Sequence, residues 1–108
     1  MDLKSIVVVS LHDPKEKSWG ELLAMSRAGI TVRGLDVNSF DDFIQQVKRP
    51  EEAQIGLATI FYPMHRVERI ALDEAKGSIP SLAQTFERHV GRRLREYLDE
   101  LDRLFELD

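Results

Sequence analysis

The chain contains no cysteine. Disulfide scaffolds, thiolate metal sites and cysteine nucleophiles are thereby excluded, and the composition suits the reducing conditions of a cytoplasm. Long apolar runs are missing as well. Ile6-Val7-Val8-Val9 falls far short of the roughly 20 apolar residues a membrane span needs, and is too short for a signal-peptide core. Positive charge is in short supply: 15 Lys and Arg stand against 19 Asp and Glu, a net charge of −4. A protein that coats nucleic acid by neutralising phosphates would want the opposite balance. The single tryptophan, Trp19, fits a core or rim position better than a base-stacking platform. We expect a cytoplasmic protein with no membrane partner.

What is present fits a folded domain of ordinary size. Hydrophobic residues make up 43% of the 108 residues and charged residues 31%, a balance that favours a packed core over disorder. The first half reads as short strands. Lys4 to Leu11 is rich in β-branched residues, His12 to Lys17 forms a charged turn around Pro14, and Trp19 to Met25 reads as a second strand. From Ile30 to Val37 apolar Ile30 and Val32 alternate with Thr31 and Arg33, the period-2 pattern of a half-exposed strand. Over Asn38 to Val47 the period changes. Asn38 or Ser39 can cap, Asp41 and Asp42 fill the first turn, and Phe40, Phe43, Ile44 and Val47 share one face, which predicts a short helix over about 39–47. The charged loop Lys48 to Glu52 follows. Ile55 to Tyr62 and Met64 to Leu72 read as the last two strands, with Pro63 ending the first or marking a bulge.

Beyond Gly77-Ser78-Ile79-Pro80 the pattern is helical. Ser78 can cap and Pro80 suits a first turn, so one amphipathic helix is predicted from about Ile79 towards Phe105. Apolar residues recur at Leu82, Phe86, Val90, Leu94, Tyr97, Leu101 and Leu104, widened by Leu98 and Phe105. From Val90 the spacing alternates four and three, the heptad rhythm. A helix of that length would span roughly 40 Å, longer than a barrel of residues 1–76 can cover. Leu82, Phe86 and Val90 are therefore assigned to packing on the barrel. Leu94, Tyr97, Leu98, Leu101, Leu104 and Phe105 are assigned to a second copy, because so much wet aliphatic surface is unfavourable at about 25 cal/mol per Å².

Val9-Ser10-Leu11, Trp19-Gly20-Glu21-Leu22-Leu23 and Gly29-Ile30-Thr31-Val32 resemble the first motif of Sm-like proteins. Phe61-Tyr62-Pro63-Met64-His65-Arg66-Val67-Glu68-Arg69-Ile70 resembles the second. The resemblance covers approximately residues 5 to 73. It implies a five-stranded, strongly bent SH3-like barrel over 1–76. The helix over about 39–47 would be an insertion in it, and the long helix over 77–108 follows the barrel where the family's helices commonly precede it, so the chain is expected to be α+β, mainly β. The resemblance also implies assembly into a homo-oligomer through edge strands and, in a bacterial cytoplasm, binding of single-stranded RNA. The family's RNA-contacting residues are not kept. Its Asp falls on Ser26, its Asn near Ile30 and its Arg-Gly pair on Pro63-Met64; of the Tyr-Lys-His of the bacterial Hfq proteins only His65 is in register. Tyr62, His65 and Arg66 are the candidate ligand residues that the resemblance leaves.

Other constellations have plainer readings. His12 and His65 would need Asp13 or Asp36 to converge with them before a metal or hydrolytic site existed, and the spacing does not demand it. Asp36, Asp41 and Asp42 could suggest a carboxylate cluster for a divalent cation, but stabilisation of a helix N-terminus explains Asp41 and Asp42 without a metal. Arg88, Arg92 and Arg95 would share a helical face, but Glu96, Asp99, Glu100 and Asp102 follow at once, as on a solvated face laced with ion pairs. The expectation is a non-enzymatic assembly or interaction module with no cofactor and no metal. Weak RNA binding of Sm type ranks second, and a small enzyme using His12, Asp13 and His65 third.

Overall fold

The computed structural model describes residues 1–49, 51 and 56–106, with the side chains of 105 and 106 outside the description. The chain divides into two compact units, Met1–Asp73 and Glu74–Asp108. The fold class is α+β: five antiparallel strands in one sheet and, among the described residues, three α-helices.

The strands are β1 (Ile6–Leu11), β2 (Glu16–Met25), β3 (Gly29–Asp36), β4 (Ala58–Pro63) and β5 (Val67–Leu72), in the spatial order β4-β3-β2-β1-β5. The sheet is open, with β4 and β5 as its two edges. Alternation along β1 buries Val7, Val9 and Leu11 on one face, where they join Leu22, Ile30 and Val32 in a single cluster. Tyr62, Met64, Val67 and Ile70 pack against that cluster from the two edges. Each fully buried aliphatic there contributes roughly 1.5–3 kcal/mol.

Two glycines let the backbones of β2 and β3 come together on that face. Gly20 and Gly34 lie directly opposite in register. A Cβ on Gly34 would sit 2.0 Å from the Trp19 carbonyl oxygen, and one on Gly20 would sit 2.6 Å from the Gly34 Cα. Here only glycine fits.

The other face of β2 and β3 is built around Trp19, opposite Leu35. The 3-10 turn Val37–Ser39 leads into α1 (Phe40–Lys48), which brings Phe40, Phe43 and Ile44 into the core. The Trp19 ring meets Phe40 edge-on at 5.0 Å and Phe43 at 6.4 Å, and its Nε1 donates to Asp73 Oδ2 at 3.0 Å. Asp36 accepts from the Asn38 amide, whereas Ser39, the helix N-cap, makes no side-chain cap bond. Beside Trp19 and Leu35 the register sets Glu21 opposite Arg33. Their side chains form an ion pair at 2.7 Å, with Glu21 only 1% and Arg33 7% exposed.

Several expected boundaries move. β2 begins at Glu16, inside the expected turn. Met64–Arg66 forms a 3-10 turn, so β5 starts at Val67. Described β4 begins at Ala58, and Ile55 lies outside the described residues.

The second unit departs most from expectation. The single helix of about 79–105 is two helices, α2 (Leu82–Val90) and α3 (Leu94–Glu106). Gly91 breaks it, taking the left-handed conformation (φ 80°) while its amide donates to the Glu87 carbonyl. Glu87 then turns its side chain to the next helix, where Oε2 accepts from the Leu94 amide at 3.1 Å. Nor does Ser78 start α2. Lys76 and Ile79 close a bridged turn, and Ser81 is the N-cap, its hydroxyl accepting from the Gln84 amide while Gln84 Oε1 accepts from the Ser81 amide.

Candidate functional site

The candidate ligand residues lie at the end of β4 and in the β4–β5 turn, which Arg66 ties to the β1–β2 turn. Tyr62 is the penultimate residue of β4, with its backbone in register with Ile30 and its side chain half-buried against the core. His65 and Arg66 belong to the 3-10 turn that follows. Arg66 is committed. Its Nε donates to the His12 carbonyl at 3.3 Å, and its Nη2 donates both to the Pro14 carbonyl and to Glu16 Oε2 at 2.8 Å. The His12 amide returns a bond to the Arg66 carbonyl at 3.0 Å. Arg66 thus fastens the two turns together, and charge-assisted bonds to carbonyls contribute about 1.5–3 kcal/mol each where they are sheltered. His65 is exposed, and its side chain has no hydrogen-bond partner among the described residues.

His12 Nδ1 lies 3.3 Å from Asp13 Oδ2, in a pair largely open to solvent. Among the described residues no group of three or more His, Asp or Glu side chains converges as metal ligands. Asp41 and Asp42 sit in the first turn of α1, where they favour the helix dipole.

The residues assigned to a partner helix are spread over different environments. Leu94 and Leu98 are buried in the single chain, Tyr97 and Leu101 are half-buried, and Leu104 is 59% exposed; the Phe105 side chain lies outside the described residues. Tyr97 packs on Phe86 at 5.5 Å. The basic residues do not share one helix: Arg88 belongs to α2, Arg92 to the connection and Arg95 to α3. Arg92 pairs with Glu100 and lies over the Tyr97 ring, and Arg95 reaches Asp99 at 3.6 Å. These are exposed pairs, each contributing about 0–1 kcal/mol.

Two features escaped the sequence reading. The first is the edge position of β4, Ala58-Thr59-Ile60-Phe61-Tyr62-Pro63. The strand has no charged residue, and Ile60 is 37% and Phe61 54% exposed. The apolar run was visible, but its place at the edge depends on pairing with β3 alone. The second is a recess of about 380 Å³ between β1, β2, β5 and the turn before α1, with Lys15, Lys17 and Arg69 around Ser10. It joins residues 59 positions apart in sequence, and no local motif announces it.

No helix among the described residues is long and apolar enough to cross a membrane. No protein-family model matches the chain, and comparisons with curated proteins and with solved structures returned no match.

Proposed function

We propose that this chain is a non-catalytic, Sm-like assembly module of the cytoplasm, which joins further copies of itself through the edges of its sheet. One observation carries the reading: β4 is an uncharged edge strand with exposed Ile60 and Phe61. Proteins that keep such an edge free of partners normally blunt it with charge, bulges or a covering element. The opposite edge, β5, carries Glu68 and Arg69 and is the complementary strand for a heterologous contact, in which the β4 of one copy meets the β5 of the next.

The strand order β4-β3-β2-β1-β5, with a 3-10 turn joining the two edge strands, supports the Sm-like reading. So does the glycine pair that permits close approach of β2 and β3. Light scattering on the intact chain tests the proposal. At tens of micromolar the mass should be a multiple of 12.4 kDa, and a strict monomer at that concentration defeats it. RNA binding ranks lower because Arg66, the cation among the three candidate ligand residues, already binds the β1–β2 turn.

A further inference from the structure

The recess beside the β1–β2 turn has the chemistry of an anion site. Ser10 on β1 lies directly opposite Lys17 on β2 and directly opposite Arg69 on β5. Directly opposed residues project from the same face of a sheet, so a hydroxyl stands between two long cationic side chains. Their backbones are separated by two strand spacings, roughly 10 Å, a span that lysine and arginine side chains close easily over the serine. Lys15 adds a third cation, and Leu11 and Val37 supply apolar lining.

Three cations and three carboxylates line the recess, and Arg66, which pairs with Glu16, leaves the cations in excess by one. Among the described residues Lys15, Lys17 and Arg69 make no ion pair. Of the three carboxylates that also line it, Glu16 accepts from Arg66 and Asp36 accepts from the Asn38 amide. Glu68 alone is uncommitted. A chain of net charge −4 therefore gathers three unpaired cations around one hydroxyl. The volume of about 380 Å³ lies within the range of small-molecule sites, roughly 300–1,000 Å³.

We propose that this recess binds a small molecule bearing a single phosphate monoester. Lys17 and Arg69 clamp the phosphate, Ser10 donates a hydrogen bond to it, and Lys15 closes the rim. The apolar lining of Leu11 and Val37 takes the body of the ligand. The carboxylates of Glu16, Asp36 and Glu68 select for one phosphate group, since a polyanion passing through the recess would meet all three. The site shares Glu68 and Arg69 of β5 with the edge proposed for assembly, but probe binding and the mass of the chain are read separately, so either can fail without the other.

Phenyl phosphate, which joins one monoester to one apolar ring, is a suitable probe. Titrated into the isotopically labelled full chain, it should give saturable amide shifts centred on Ser10, Lys17 and Arg69, with inorganic phosphate shifting the same amides more weakly. The Lys17→Gln/Arg69→Gln double variant should bind about tenfold or more weakly, because two charge-assisted contacts are lost. Arg93→Gln, on an exposed arginine of the second unit, should bind like the parent. Both substituted positions of the double variant are exposed, and an unchanged melting temperature will show that it folds. Absence of saturable shifts overturns the proposal. So do shifts scattered over all basic residues, undiminished binding by the double variant, or displacement of the probe from these amides by a single-stranded oligo-U that binds more tightly.

Discussion

The sheet unit and the helical unit are specified by interactions of different range. In Met1–Asp73 the decisive contacts join residues far apart in sequence: Trp19 to Asp73, Glu21 to Arg33, Arg66 to the turn at His12 to Glu16. In Glu74–Asp108 they are local: Ser81 with Gln84, Glu87 with Leu94, Arg95 with Asp99. The sheet unit concentrates large energies in a few buried groups, whereas the helical unit spreads small ones over caps and exposed pairs. Substitutions should expose this difference directly.

The largest effect is expected at the buried ion pair. Arg33→Ala leaves Glu21 buried beside a cavity, and denaturant unfolding should show a loss of about 3–5 kcal/mol. Replacing both partners by Leu and Met should restore most of that stability, since a well-packed apolar pair of similar volume is often neutral or better. If the single and double variants lose equally, the pair is not acting as a coupled unit. Next comes Gly34→Ala, whose Cβ would meet the Trp19 carbonyl at 2.0 Å. A backbone shift is required, and a loss of about 1–3 kcal/mol or more is expected in the same measurement.

The helical unit should respond less. Ser81→Ala removes one half of a capping box and should cost about 1 kcal/mol, read from the same unfolding curves. Arg92→Ala should change stability by less than about 1 kcal/mol, because its pairing with Glu100 is exposed. A loss at Arg92 as large as that at Arg33 would erase the contrast between the units.

The same difference in range explains what the sequence made legible. Strand alternation located the inner residues Ile30 and Val32, and the phenylalanine spacing located α1, because periodicity reports which side of an element is buried; the continuous run Ile6-Val7-Val8-Val9 carried no such signal. Periodicity does not report backbone breaks. The apolar rhythm from Leu82 to Leu104 runs straight across Gly91, and the heptad reading therefore missed both the left-handed cap and the side chain of Glu87 that starts α3. The cue was Gly91 itself, followed by two arginines. Burial of Glu21 and Arg33 was hidden for another reason. In isolation each reads as a solvated strand residue, and only the β2–β3 register sets them opposite each other. Arg66 looked like a free cation beside His65 for the same reason, since its acceptors lie 50 to 54 residues away. The recess around Ser10 needs three strands to exist at all.

Assembly through β4 is the central claim, and hydrogen exchange of the β4 amides as a function of protein concentration tests it most directly. Protection at Thr59 to Tyr62 should rise with concentration in the intact chain and should lose that dependence in Ile60→Lys, which places a charge on the exposed edge. Exchange at β4 that is independent of concentration in the parent, or identical in parent and variant, would contradict the account.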